Sequence, residues 1–342
     1  MMKELLKKLC MTNGIPGFED EVRAVIRAEI EPYADKIEVD PMGSLYAFKK
    51  GRKTPKQLRM VTAHMDEVGF MVRSITEDGY LKLAAAGGID PRVVVGRRVI
   101  IGDNNVHGVA GLRAIHLTSA EERKVAPGMD DLYIDIGADS KEEAEEMVSI
   151  ADPIHFDSEW IEFGDQRVKS KAIDDRIGCA VMAELIKEEP EYDTWFVWLV
   201  GEEIGGRGAR VAAQRLNPGL CLNLEGTSAG DLPGVPAHVR ACQLGKGPAV
   251  SLMDGKTVYT RRVVRELTAA ADKAGVTWQY RLSANAGNDA GPIHQANGGC
   301  EICTVSAPVR YMHSACNVSY WPDLEGMLQI ARIFVNEVTD RV

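Results

Sequence analysis

No stretch of this 342-residue chain approaches the roughly 18 consecutive apolar residues that a membrane-spanning helix needs. The opening segment "MMKELLKKLCMTNGIPGFED" lacks the apolar core and small-residue cleavage site of a secretion signal and reads as a short amphipathic helix. The expected location is cytoplasmic, with no membrane as partner. Cysteine is sparse: seven residues, an odd number, several inside apolar runs such as "LCLNL" and "GCAVMA", which suits reduced, buried thiols rather than a disulfide framework. The one C-x-x-C, Cys300 to Cys303 in "CEICTVSA", sits in a strand-like run where positions i and i+3 face opposite sides and cannot close on one ion. Positive charge is in deficit, 40 Lys and Arg against 50 Asp and Glu, and the net charge of −10 argues against nucleic acid or an anionic membrane as partner. What is present is a globular composition, 45% hydrophobic and 26% charged, in a chain long enough for two domains with one inserted in the other.

The texture changes twice along the chain. From about Pro16 to Met60 a helical spacing of Val22, Val25, Ile26 and Ile30 is followed by strand-like "KIEVD" and "SLYAFKK". From about Gly69 to Arg167 come short strands with turn signals, "FMVRSI", "GYLKLAAAGG", "RRVIIGDNNVHGVAGL", "DLYIDIG" and "EWIEFGD", with only "SKEEAEEMVSI" helical. Beyond "KSKAIDDRIGCAVMAELIKE" the α/β alternation returns through the strands "TWFVWLV", "LCLNLE" and "CEICTVSA" to a closing helix "DLEGMLQIARIFVNEV". The expected architecture is an α/β domain, residues 1–67 and 168–342, split by a mostly β domain, residues 68–167.

Acids and histidines stand at the ends of the α/β strands. "LRMVTA" runs into His64 and Asp66, "TWFVWLV" into Glu202 and Glu203, "LCLNL" into Glu225, and "VRYMHS" after the last strand carries His313. Asp174 and Asp175 open the helix after the inserted domain. In open α/β sheets, ligands bind outside the carboxyl ends of the strands, so these residues are candidates to converge. Two histidines and several carboxylates without a thiolate set suit a catalytic pair of divalent ions, with one aspartate bridging them and one unligated glutamate free to take a proton from water.

The motifs "AHMDEVGF", "KAIDDRIG", "GEEIGGRGA", "EGTSAGDLPG" and "RYMHS", in this order and at these intervals, resemble the M42 family of dinuclear metalloaminopeptidases, relatives of the tetrahedral and glutamyl aminopeptidases. The resemblance covers essentially the whole chain. It implies an α/β fold with a mixed central sheet flanked by helices and an inserted small β-barrel-like domain that serves oligomerisation. It further implies a metal-dependent aminopeptidase acting on short peptides, with two divalent ions per subunit, Zn or Co, with Mn as an alternative. His64 and Glu225 would hold one ion, Glu203 and His313 the other, and Asp174 would bridge them. Glu202 would be the general base, and Asp66 would accept a hydrogen bond from the His64 ring and fix its tautomer. The implied assembly is a homo-oligomer, dimers joined into a hollow dodecamer. Three departures stand out: Glu225 where many members have Asp, "HSACN" where Pro commonly follows "HS", and "AGNDAG", residues 286–291, where "GGTDAG" is common.

Rival readings rest on other residues. "GTSAG", residues 226–230, satisfies G-x-S-x-G after a strand, and Asp289 with His294 or His313 would complete a Ser228 triad. A nucleophile elbow must open a helix at once, and "DLPGVPAHV" cannot be one. A carboxypeptidase, deacylase or amidohydrolase could use the same metals, with Arg310 or Arg207 as the cation for a substrate carboxylate. A metal-binding scaffold without turnover would have lost its base, yet Glu202 is intact. His294 is near enough to the rim to be a substrate contact, whereas His107, His116, His155 and His238 are expected to be structural or exposed.

Overall fold

The computed structural model describes residues 2–340. Among these, α1 (Met2–Met11) and α2 (Asp20–Ile30) precede β1 (Lys36–Val39), β2 (Leu45–Lys49) and β3 (Arg59–His64). Then come β4 (Gly69–Ile75), β5 (Leu81–Ala86), β6 (Arg98–Ile101), β7 (Val106–Gly111), β8 (Tyr133–Asp135), α3 (Lys141–Met147) and β9 (Pro153–Phe156). After β10 (Ile161–Phe163) and β11 (Arg167–Ser170), the chain continues with α4 (Ile173–Leu185), β12 (Thr194–Leu199), α5 (Arg207–Leu216) and β13 (Leu220–Ser228). It closes with β14 (Ala249–Ser251), α6 (Arg261–Lys273), β15 (Gln279–Arg281), α7 (Ala290–Gln295), β16 (Glu301–Val309), β17 (Asn317–Tyr320) and α8 (Trp321–Glu337).

An eight-stranded mixed sheet, in the order β1-β2-β12-β3-β13-β16-β14-β15, forms the centre of the α/β part. Its four middle strands run parallel, with Leu199 level with His64 and Gly226 level with Ala307. Every residue of β3 is buried, as a central strand covered on both faces requires. Helix α4 packs on β3 and β13 and against α1, α2 and α8, while α5 and α7 pack on each other and on β12 and β16. The helical spacing in α2 buries Val22, Ile26 and Ile30. Buried Arg59 donates to the Phe334 and Val338 carbonyls, each at 2.9 Å, a cation at the C-terminal end of α8.

Strands β4 to β9 close into a six-stranded barrel. Its core holds Phe70 and Phe156 edge to face with ring centroids 5.5 Å apart. The expected β segment "EWIEFGD" lies outside that barrel. Once β9 pairs with both β4 and β6, the barrel has no edge left to extend. β10 pairs instead with β11, and β11 with β17 near the end of the chain. Among the described residues no helix is long and apolar enough to cross a membrane.

Where the barrel meets the α/β part, β9 presents buried His155 to a charged cluster. Lys171 donates to Glu67 at 2.5 Å and to Asn13 at 2.8 Å, and Arg176 donates to the carbonyls of Leu9, Thr12 and Gly14. Burial, reinforced by Lys171 and Arg176, pushes the His155 imidazole down to about 2, so it is neutral in the folded protein. An unfolded histidine titrates near 6.5, so between that pH and about 2 the unfolded state binds the extra proton and stability rises with pH. The expected outcome is that His155→Leu removes up to about 1.4 kcal/mol per pH unit of the wild-type stability loss below pH 6.5. Denaturant unfolding of both proteins at pH 5, 6 and 7 measures it; parallel pH profiles would assign the titration elsewhere.

Candidate active site

The parallel strands β3 and β13 pair only from Arg59 with Leu220 to Thr62 with Asn223. Beyond that point β13 continues beside β16 to Ser228, so Glu225 lies within a strand rather than at its end. Asp174 and Asp175, joined by a cis peptide bond at the non-helical start of α4, bind one strand each. Asp174 Oδ1 accepts the Gly226 N–H at 2.9 Å, and Asp175 Oδ2 accepts the His64 N–H at 3.3 Å. A Cβ at Gly226 would lie 2.5 Å from Asp174 Oδ1, so the approach requires glycine.

The two histidines are held alike. His64 Nδ1 is 3.0 Å from the Asp66 carbonyl, and His313 Nδ1 is 2.7 Å from the Gly88 carbonyl. Each Nδ1 therefore donates to a carbonyl, and each Nε2 is the nitrogen turned to the carboxylates, able to offer its lone pair to a cation once deprotonated. His64 Nε2 lies 3.6 Å from Asp174 Oδ1 and 3.6 Å from Glu225 Oε2. His313 Nε2 lies 3.6 Å from Asp174 Oδ2 and 3.4 Å from Glu203 Oε1. Asp174 thus turns one oxygen to each cluster. A tetrahedral ion with bonds of about 2.0–2.1 Å separates its ligand atoms by roughly 3.3 Å, which these spacings fit. The Glu225 carboxylate is steered by Asn223, which donates to Oε1 at 2.9 Å and accepts from Thr62 at 2.8 Å.

The Asp66 carboxylate does not play the part the resemblance implied. It stands 3.6 Å from His64 Nδ1, beyond hydrogen-bond reach, while the residue's own carbonyl takes the ring proton. Its two oxygens instead accept the backbone N–H groups of Glu202 at 3.1 Å and Glu203 at 3.0 Å. Asp66 orients His64 through its backbone and the Glu202–Glu203 turn through its side chain. Sequence reasoning named Asp175 without a role and missed Gly88 and Asn223, whose partners include chain segments distant in sequence.

Charge is crowded here. Burial drives the Glu202 carboxyl well above its ordinary range, with Glu225, Asp289 and Glu203 adding to the shift, and burial drives Glu203 up to about 8. Burial also raises Glu225. It opposes charge on His313 too, yet the Asp174 and Glu203 carboxylates prevail and lift the imidazole to about 9. Burial likewise opposes charge on His64, but Asp174, Asp66 and Glu225 hold it well above its usual value. Protons are thus drawn to positions where cations would neutralise the same carboxylates, and the donor set of imidazole and carboxylate suits divalent ions.

The site opens into a cavity of about 500 Å³ whose lining includes Asp174, Glu202, Glu203, Glu225 and His313 together with Asp254, Lys256, Arg281 and Asn288. The rival residues do not assemble. Ser228 is followed by a turn and loop rather than a helix, and His294 points its Nδ1 at the Cys300 carbonyl, 2.8 Å away. Arg310 is paired twice with Asp231 at 2.8 Å, and exposed Arg207 donates to the Ile204 carbonyl. Cys300 and Cys303 are both buried in or beside β16, with burial pushing their thiols up.

Comparison with known proteins identifies the family. Residues 43–330 match the family described as M42 glutamyl aminopeptidase. A putative aminopeptidase of Escherichia coli, FrvX, is 34% identical over 98% of this chain and 95% of its own length. The lysyl aminopeptidase of Pyrococcus furiosus is 30% identical over 98% of this chain and 97% of its own length. The solved structure of the Pyrococcus horikoshii TET1 peptidase, described as assembling into a tetrahedron or a large octahedral shell, superposes with a TM-score of 0.86 at 31% identity, covering 98% of this chain and 100% of that one.

Proton release tests the electrostatics. Near neutral pH the metal-free site draws a proton to His313, whose imidazole is lifted to about 9, and burial favours a further proton on Glu203, so a cation must displace bound protons. Zinc uptake by chelator-treated protein is expected to release about one proton or more per chain, read by calorimetry in buffers of different ionisation heat. Uptake without release would show that the ions bind elsewhere.

Proposed function

This chain belongs to the M42 peptidase family, a peptide hydrolase of the aminopeptidase kind, and from that premise we propose that its reaction uses two divalent ions held by the paired clusters. His64 and Glu225 would hold one ion, Glu203 and His313 the other, and Asp174 would be shared between them. The observation that carries this reading is that Asp174 turns Oδ1 toward His64 and Oδ2 toward His313. Zinc or cobalt suits the donors best, with manganese as the alternative. When bound, the ions supply Lewis acidity at the scissile carbonyl and acidify the attacking water.

Glu202 is the general base. Its backbone is fixed by Asp66, and among the described residues its carboxylate has no side-chain hydrogen-bond partner. The carboxylate takes a proton from the attacking water and returns it to the leaving amine. Both halves of that exchange need a carboxylate pKa near the working pH, which burial favours. Asp66 is a positioning residue, since it acts on the chemistry only through His64, Glu202 and Glu203.

The barrel exposes Ile115 (71%), Leu117 (64%) and Val125 (73%) on one connecting segment, an apolar surface that supports assembly with further copies of this chain. We read the assembly as dimers joined into a closed shell, by likeness to the Pyrococcus horikoshii TET1 peptidase and its tetrahedral or octahedral shells.

Glu202→Gln is expected to retain both ions and the fold while lowering kcat by about 10² to 10⁴-fold. Metal analysis and hydrolysis of aminoacyl nitroanilides, free and N-acetylated, measure this together. A variant keeping more than a few per cent of activity would remove Glu202 from the base role. Activity on acetylated substrates, or activity surviving exhaustive chelation, would turn the reading toward a deacylase or a metal-free mechanism.

A further inference from the structure

Two of the motifs that frame the site carry charged residues that the ligand set leaves unused. "AHMDEVGF" supplies Glu67, directly after Asp66, and "KAIDDRIG" supplies Lys171 and Arg176 on either side of the Asp174–Asp175 pair. All three side chains are buried. Lys171 donates to Glu67 Oε1 at 2.5 Å, and Arg176 Nη2 stands 3.7 Å from the same oxygen. His155 Nδ1 lies 4.0 Å from it, outside hydrogen-bond reach, so the two cations hold Glu67.

Stability alone does not account for such a pair. Taking a carboxylate and an ammonium out of water is costly, and well-packed apolar side chains of similar volume are often as stable or more so. The placement of the pair points to another use. Glu67 belongs to the segment beyond β3, where the Asp66 carbonyl holds the His64 ring. Lys171 follows β11 and precedes Ala172, whose left-handed backbone, with φ of 55°, turns the chain into Ile173 and Asp174. The ion pair therefore joins the segment that carries His64 to the segment that carries Asp174. Both are also tied to the stretch after α1. The Glu67 N–H donates to the Gly14 carbonyl at 2.9 Å, Lys171 to Asn13 Oδ1 at 2.8 Å, and Arg176 to the Gly14 carbonyl at 3.2 Å. Glu67 further shares a cavity of about 10 Å³, room for one water, with Asp174, Glu203 and His313, so the pair adjoins the second cluster of candidate ligands.

We propose that the Lys171–Glu67 ion pair positions the metal ligands: by joining the chain beyond β3 to the chain before α4, it sets the separation of His64 and Asp174 and, through it, the affinity of the site for its cations. Both are positioning residues. The proposal rests on the two-ion reading above.

The test compares zinc affinity, by competition with a chromophoric chelator, with denaturant unfolding of the metal-free protein. Lys171→Met and Glu67→Gln are each expected to weaken zinc binding about 10 to 100-fold and to lower stability, since each leaves a buried charge unpaired. The double variant Glu67→Gln/Lys171→Met leaves neither charge. It is expected to regain most of the lost stability while its zinc affinity stays about tenfold or more below that of the wild type, a split that a merely structural pair would not give. Should either single variant fail to fold, the double variant alone decides. Wild-type affinity in the double variant, unchanged affinity in the single variants, or affinity that falls only in step with stability overturns the proposal. A double variant that fails to fold assigns the pair to folding and overturns it as well. Wild-type protein that takes up no zinc defeats the two-ion reading, and the proposal with it.

Discussion

The site depends on the place where β3 and β13 stop pairing. Their parallel ladder ends at Thr62 and Asn223, and the Asp174–Asp175 pair enters just beyond it, binding the Gly226 N–H on one strand and the His64 N–H on the other. Unpaired backbone N–H groups in a buried sheet would be costly, on the order of 1–3 kcal/mol each, so the aspartates satisfy a demand that the sheet itself creates. In doing so, Asp174 is left facing both histidines. The geometry of the candidate metal centre is thus set by main-chain hydrogen bonding as much as by side-chain chemistry. Gly226 completes the arrangement, because any Cβ there would displace the carboxylate.

Around this wedge the protein tolerates a concentration of like charge that would be unfavourable elsewhere. Glu202, Glu203, Glu225 and Asp174 share one small volume with Asp289 close behind. Their backbones are nevertheless tied down: Glu202 and Glu203 by the Asp66 carboxylate, and Glu225 by its long ladder with β16. The apolar strands and α4 supply the stability that such crowding consumes. Held rigidly, the acids cannot relax away from one another, and the remaining relief is a cation, whether proton or metal.

Much of this was legible in the sequence. Long, strongly apolar strands announce themselves, and the rule that ligands gather at the carboxyl ends of parallel strands is enough to bring His64, Glu202, Glu203 and His313 together. Helical signals located α2 and α8 closely. Three-residue strands such as β14 and β15 left no periodic signal, being shorter than the window any pattern needs. The segment "EWIEF" alternates like barrel material, and only the closure of the barrel by β9 excludes it, a property of pairing rather than of composition. Asp66 shows the limit most clearly. The resemblance implied a side-chain contact with His64, but the chain just beyond β3 brings the carbonyl to the ring and leaves the carboxylate for two N–H groups 136 and 137 residues away.

The central claim is that Asp174 joins two ion sites. Metal analysis combined with anomalous diffraction from zinc-reconstituted crystals tests it most directly. Two ions per chain, one between His64 and Glu225 and one between Glu203 and His313, each touching a different oxygen of Asp174, is the predicted result. A single ion, or two ions of which either lacks Asp174 as a ligand, would contradict the account.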